Sequence, residues 1–407
     1  MPWCRLFAVL ATGSLGCLPL ANAEAQIEPW LLTPETRYAG DPRAPLSDVW
    51  QITVGPDREI YVLDGVAKRV NVYGASGHLL RTIGREGSGP GEFLAPLRAG
   101  WLADMLWVVE PGRRRVSLFH PSGEFARAIT VPAQVSPGSV FMMVSLLADG
   151  SFLGREFGPP QIRQPQPHEA LTRLSEGGDP LDTVQMLSVE HREMRVSLPG
   201  GGVFQTVQPW SSHDVLAVSK SGDRIVVLDQ SNDGRGATGE YEIIVVDLPE
   251  KRRSVRRVTY ERVPFTEEAV DYWISESVSI DELGRFFGGP DAARRAIARE
   301  VYRPRYLPPV RRATVRPFDQ TVRVGIDRSI WIQRDNQDRN TSHWDVFDER
   351  LNPVGSVSVG AGVTVHEICG GTVWGVELDD LDVPTVVRYR VMDGVSESRD
   401  WPGASSC

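Results

Sequence analysis

The chain has 407 residues, 41% hydrophobic and 24% charged, which is enough apolar content for a substantial core and argues against disorder. Its 39 glycines and 30 prolines are too dense for long helices and suit short strands joined by tight turns. A formal net charge of −9 repels phosphate backbones and sets nucleic acid aside as an expected partner.

The first residues carry the marks of a secretory signal. Arg5 supplies a basic start, Leu6 to Leu20 is an apolar run, and Ala21-Asn22-Ala23 offers a small-residue cleavage site. The expected mature chain is a single domain over residues 24–407, secreted or periplasmic. The apolar run is too short and too rich in Gly and Ser to span a bilayer, and no other stretch approaches eighteen apolar residues, so no transmembrane segment is expected. "SLGC" offers a second route, a lipid anchor at Cys17, but Ser14 stands where such motifs carry Leu.

A repeat follows. "IYVLDGVAKRVNVYGASGHLLRTI" (Ile60 to Ile83) matches "LWVVEPGRRRVSLFHPSGEFARAI" (Leu106 to Ile129) at a constant offset of 46 residues. Asp64 aligns with Glu110, Arg69 with Arg115, Tyr73 with Phe119 and Gly77 with Gly123. A fixed period of this size signals propeller blades or a solenoid. "RVNVY" and "RVSLF" alternate as strands do, and the Ser-Gly pairs suit hairpin turns. Each unit reads as a meander of about four strands. Between the two copies lies "GREGSGPGEF", Gly84 to Phe93. A phosphate loop needs a helix after its glycines and, for a P-loop, Lys-Ser/Thr. Here Pro90 and Glu92 occupy the decisive places, so the stretch is read as a connection between blades.

Weaker copies continue along the chain. Leu146–Phe157 reads as half a blade, and Arg224–Leu248 as two strands around a long loop. Gly325–Val359 repeats the pattern well, and Val363–Val391 is a shortened sixth copy. That last copy lacks an outer strand, which Trp30–Gly40 is expected to supply from the N-terminus, closing the ring and removing a sheet edge. Pro264–Val301 breaks the pattern and reads as helices, with Thr266 and Ser279 as caps, Pro290 opening a third segment, and Ala293, Ile297 and Val301 on one stripe. The expected fold is therefore all-β: a six-bladed β-propeller with a helical insertion over 264–301, between the fourth and fifth blades.

The phrase "IGREGSGPGEF", followed by an inner strand, then "LWVVE" and "RVSLF", resembles the NHL-type six-bladed β-propeller. The likeness is clear over Val49–Thr130 and diluted beyond. It also extends to secreted bacterial six-bladed propellers of unassigned activity. It implies the fold strongly and function weakly, because propellers host many unrelated sites.

Candidate site residues fall in four groups. Three second-to-third strand loops carry charge: Arg113 and Arg114; Arg334, Asp335 and Asp338; Asp379 and Asp380. With the helical segment they form an expected binding rim for a protein, peptide or glycan. Asp229 to Glu240 fits the twelve-residue calcium-loop spacing, with Asp229, Ser231, Asp233, Arg235 and Glu240 as ligands, though its flanks are strands rather than helices. His213 and His366 sit in expected inner strands and, with Glu367 nearby, outline a thin channel-metal site. Cys369 and Cys407 are the two cysteines left beyond the signal and form an expected disulfide. No nucleophile elbow is present. The functional expectation is an exported binding or scaffold module with no cofactor beyond a possible calcium ion. The alternative is an enzyme of lyase or lactonase type with a metal in the channel.

Overall fold

The computed structural model describes residues 30–38, 44–158, 168–188, 193–207, 214–230, 238–264, 266–301, 321–334, 341–360 and 362–392. The signal segment, Cys17 and Cys407 lie outside them. In chain order the elements begin with β1 (Trp30–Tyr38). Then come β2 (Val49–Val54), β3 (Ile60–Asp64), β4 (Arg69–Tyr73) and β5 (Leu79–Ile83). The second group is β6 (Arg98–Leu102), β7 (Met105–Glu110), β8 (Arg115–Phe119) and β9 (Phe125–Thr130). The third is β10 (Val140–Leu146), β11 (Phe152–Phe157), β12 (His168–Leu174) and β13 (Pro180–Ser188), followed by a hairpin, β14 (Glu193–Ser197) and β15 (Val203–Val207). Next are β16 (Val215–Val218), β17 (Arg224–Asp229), β18 (Thr238–Asp247) and β19 (Arg252–Glu261). Three helices follow: α1 (Glu267–Ser277), α2 (Ile280–Phe287) and α3 (Pro290–Val301). The chain returns to strands with β20 (Val322–Val324), β21 (Ile330–Gln333), β22 (Thr341–Phe347) and β23 (Pro353–Gly360), then β24 (Val363–Cys369), β25 (Thr372–Leu378) and β26 (Pro384–Met392).

Four meanders form separate four-stranded antiparallel sheets, β2–β5, β6–β9, β10–β13 and β16–β19. The remaining main strands form one eight-stranded sheet in the order β20-β21-β22-β23-β1-β26-β25-β24. Among the described residues, its two halves join in one hydrogen-bonded ladder where β1 runs parallel to β23, at Trp30↔Val357 and Leu31↔Ser358. By contrast, β1 pairs antiparallel with β26 from Leu31↔Met392 to Tyr38↔Val386. The N-terminal strand thus completes the last meander, as its missing fourth strand led us to expect.

The sheets pack face to face in a propeller-like arrangement. Tyr61, Leu63, Val70 and Val72 of the first sheet share a core with Trp101, Leu106, Val108 and Phe119 of the second. Val109, Val116 and Leu118 continue onto Phe141, Phe152 and Leu174 of the third, and Leu153 and Leu171 onto Ile225 and Val227. Val226, Tyr241 and Val245 meet Ile330 and Phe347, and Trp331, Trp344 and Val357 meet Val373 and Val387. Tyr38, Trp374 and Val376 then return to Ile52, Ile60 and Val62 of the first sheet. Both faces of each inner pair of strands are covered, so β3 is buried at all five positions and reads as a continuous apolar run. Alternate residues serve alternate neighbours.

The glycine-rich connection folds around its own end. Phe93 is fully buried; its N–H donates to Arg85 O at 2.8 Å, and the Gly87 N–H donates to Phe93 O at 3.0 Å. The Glu92 carboxylate accepts the Gly89 N–H at 2.9 Å. A backbone donor of the kind a phosphate would use is spoken for by a side chain of the same loop. The Ser-Gly turns behave as read, with φ of +89° at Gly77 and +93° at Gly123, a region that favours glycine.

The aligned acids Asp64 and Glu110 are used differently, and one expected helix cap is not formed. Asp64 does accept the N–H of Ala67 in the following turn, at 2.8 Å, but Glu110 reaches back to Leu94 (2.7 Å) and to Arg115. These acids also tie each sheet to the connection that precedes it: Asp64 accepts from Ser47 N–H at 2.7 Å. Ser279 precedes α2 but makes no side-chain capping bond. Pro290 opens α3, and Ala293, Ile297 and Val301 are all fully buried. The helices form a core of their own with Met194 and Val196 of the β14–β15 hairpin. The hairpin precedes β16 and the helices follow β19, so two segments flanking one sheet build a single satellite unit.

Candidate functional site

The first strand of each meander lines the axis: β2, β6, β10, β16, β20 and β24. Consecutive members pack against one another from β16 through β20, β24, β2 and β6 to β10. The gap between β10 and β16 is spanned by a hydrogen bond from Ala148 N–H to Gly222 O at 3.2 Å. Three of these strands are bulged, at Trp50 in β2, Val144 in β10 and His366 in β24. A bulge adds a residue on one side of the ladder and re-aims its neighbours. This is how Glu367 comes to oppose Trp374 while His366 is left over.

The axial groups are cationic. Arg98 opens β6, Lys220 follows β16, Arg323 is central in β20, and Glu367 with His366 lies in β24. His366 and Glu367 are 3% and 1% exposed, whereas Arg98 and Lys220 are packed deep in protein yet still touched by water. Burial lowers Lys220 to about 8, aided by the charges of Arg323 and Arg98 and opposed by Glu367. Burial raises Glu367 to about 7 against the pull of Lys220 and Arg323. His366 is held well below its usual value by burial, then by Arg323 and Lys220, so it is neutral. Its Nδ1 and the Glu367 Oε2 have no hydrogen-bond partner among the described residues.

Beside this cluster lies a cavity of about 40 Å³, lined chiefly by Gln51, Arg98, Trp107, Val144, Ser219 and Lys220. Two of these polar side chains are already committed. Gln51 Oε1 accepts the Ala99 N–H at 3.2 Å and its amide donates to Ala99 O at 2.5 Å. Ser219 is engaged by Asp223 and Arg224 in its own turn. Arg98 spends one N–H on Val144 O at 3.1 Å. Trp107 is only 3% exposed, and its indole N–H has no partner among the described residues. Trp107 reaches the axis because its ladder partner is Gly100: a Cβ there would stand 2.6 Å from the indole and 3.0 Å from Lys220 O. That carbonyl accepts the Trp101 N–H at 2.8 Å, which ties the Lys220 turn across to β6.

The sequence-predicted residues fall differently. Arg113 and Arg114 are exposed in the β7–β8 loop, Arg113 donating to Ser88 O at 3.2 Å. Arg334 is exposed and bound by Asp345 through two bonds of 2.6 and 2.5 Å. Asp379 and Asp380 are exposed in the β25–β26 loop, where Asp379 accepts the N–H groups of Leu381 and Val383 at 2.8 and 2.9 Å. Asp335 and Asp338 lie outside the described residues. So do Ser231, Asp233 and Arg235 of the calcium spacing, leaving Asp229 at the end of β17 and Glu240 exposed in β18. His213 is likewise outside them, while His366 does line the axis. Among the described residues no three His, Cys, Asp or Glu side chains are grouped to hold a metal. Cys369 is disulfide-bonded.

Arg98, Lys220, Arg323 and Trp107 escaped the sequence reading. The available signal was a charge inside an otherwise apolar first strand, as in "RAGWL" and "VRV".

No protein-family model matches the chain, and neither does any curated protein. Solved structures of similar shape include an exported-protein candidate from Bacteroides fragilis, with 10% identity, a TM-score of 0.48 and coverage of 89% of this chain and 95% of that one. Another is a DUF4221 family member from Bacteroides vulgatus, with 9% identity, a TM-score of 0.44 and coverage of 90% and 98%. A third is a streptogramin B lyase, with 11% identity, a TM-score of 0.40 and coverage of 89% and 98%. At this level of similarity they assign no ligand and no chemistry to this chain.

Proposed function

We propose that this protein is an exported six-bladed β-propeller, residues 24–407, that works as a ligand-binding module through its axial channel. The six-blade reading is supported by the cores that link each meander to the next and the last to the first. On this reading the eight-stranded sheet is two blades bridged by β1, and the helices are an insertion between the fourth and fifth. Export is supported by the N-terminal signal pattern, and the resemblance to NHL repeats by the first two units. The rim loops and the satellite unit are then available to a protein, peptide or glycan partner.

One observation carries the binding reading: Arg98 and Lys220 line a cavity with donors to spare and no carboxylate in its wall. Buried donors without acceptors are costly unless something completes them. A second reading, an acid–base enzyme, is favoured by the displacement of Glu367 and Lys220 toward neutrality, since such shifts concentrate at catalytic centres. A channel metal on His366 and His213 is the lyase- or lactonase-like form of that reading.

The test is a thermal-shift screen of the mature protein against organic acids, sugars, peptides and metals, calcium included as the arm for Asp229, Asp233 and Glu240. A ligand of the native state raises the melting temperature. The channel reading expects hits that vanish in Lys220→Met. Hits that survive Lys220→Met and vanish in an Arg113→Ser, Arg114→Ser variant would move the site to the rim.

A further inference from the structure

We propose that the axial cavity between β6 and the Lys220 turn binds the carboxylate group of a small organic acid. The inference rests on the reading of the channel as the ligand site and names the ligand's chemistry.

The lining is one-sided. Its uncommitted polar groups are the remaining Arg98 N–H groups and the Lys220 ammonium, both donors. Gln51 and Ser219 are committed elsewhere. Among the described residues, neither Arg98 nor Lys220 makes an ion pair or hydrogen bond with a carboxylate. Glu367 acts on Lys220 only through space and does not line the cavity. Two cations at the wall of a void are the complement of an anion.

The cavity is small, about 40 Å³, room for a few waters, and the planar guanidinium of Arg98 suits a planar carboxylate.

Calorimetric titration of sodium acetate into the mature protein, at fixed sodium chloride, tests this. The expected result is saturable one-site heat, absent in Lys220→Met and weakened about tenfold in Arg98→Lys, which keeps the charge and removes the planar two-point contact. Arg98→Lys keeps the charge and decides the matter should Lys220→Met misfold by circular dichroism. Asp379→Asn, on the rim, is expected to bind acetate as the parent does. No saturable heat, or equal affinity in parent and Arg98→Lys, overturns the proposal. So does sodium sulfate binding more tightly than acetate. Should acetate fail while a hit from the broader screen still depends on Lys220, the channel remains the site and only the carboxylate assignment falls.

Discussion

The rim loops and the axial channel both carry charge, but they treat it differently. On the rim, Arg334 is answered by Asp345, and Asp379 spends its carboxylate on the N–H groups of its own turn. In the channel, Arg98 and Lys220 share a cavity with no carboxylate in its wall. A third pattern lies on the side of the first-to-second strand turns. There Arg224, 2% exposed, is held by Asp247 at 2.7 Å and by Arg328 O and Glu349 O at 2.7 and 2.9 Å. Charges that are exposed or fully answered need nothing further. Arg98 and Lys220 are packed in protein, touched by water and faced by no carboxylate in that wall, and these are the groups the proposed ligand would answer.

The largest expected effect breaks the answered pair. Arg224→Met leaves Asp247 buried beside only Arg252 and Arg328, and breaking a buried pair costs about 3–5 kcal/mol. Chemical denaturation at neutral pH measures it. The burden then falls on acid stability. Asp247 is raised by burial, but Arg224, with Arg252 and Arg328, outweighs this and sets it below its ordinary value. A depressed carboxylate contributes stability above its unfolded pKa, about 3.9, that is lost as pH falls through the folded value. The parent should therefore lose more stability than Arg224→Met on acidification below about pH 4.

The channel should respond with the opposite sign. Lys220→Met removes an unanswered ammonium and is expected to stabilise the ligand-free protein by on the order of 2 kcal/mol at pH 7. Destabilisation would show that Lys220 has a partner in solution. Glu367 gives a pH signature of similar size. Its folded value of about 7 lies above its ordinary 4.5. Its contribution is therefore fully present below the unfolded value and lost as pH rises through about 7. Glu367→Gln should flatten the fall in stability between about pH 4.5 and 7, by roughly 2 kcal/mol, in denaturation curves collected across that range.

The smallest effect belongs to the rim. Arg334→Ala removes an exposed ion pair and should cost under about 1 kcal/mol, less still at high salt. A larger loss would mean that the rim loops are structural rather than available for binding.

The repeat explains what was legible in the sequence. Second and third strands such as "IYVLD" and "RVNVY" face neighbours on both sides, so packing holds them alike from blade to blade. The unfilled edge of β26 pointed to β1. The first strands face the axis, where no neighbouring sheet dictates the residue. Gln51, Arg98, Val144, Lys220, Arg323 and Glu367 therefore share no pattern, and their convergence appears only once the ring closes. The β14–β15 hairpin was missed for another reason. Its "MRVSLPGGGVFQTV" alternates around a glycine turn, a readable hairpin signal, but its partner is a helical unit some seventy residues later rather than a blade.

The central claim is that ligand enters the axis and not the rim. Hydrogen exchange of the mature protein, with and without a saturating ligand from the thermal-shift screen, addresses it most directly. The account predicts added protection at the backbone amides of residues 98–101 and 216–222, where Trp101 N–H already binds Lys220 O, and none in loops 111–114 and 378–383. Protection confined to those loops, with the axial amides unchanged, would contradict it.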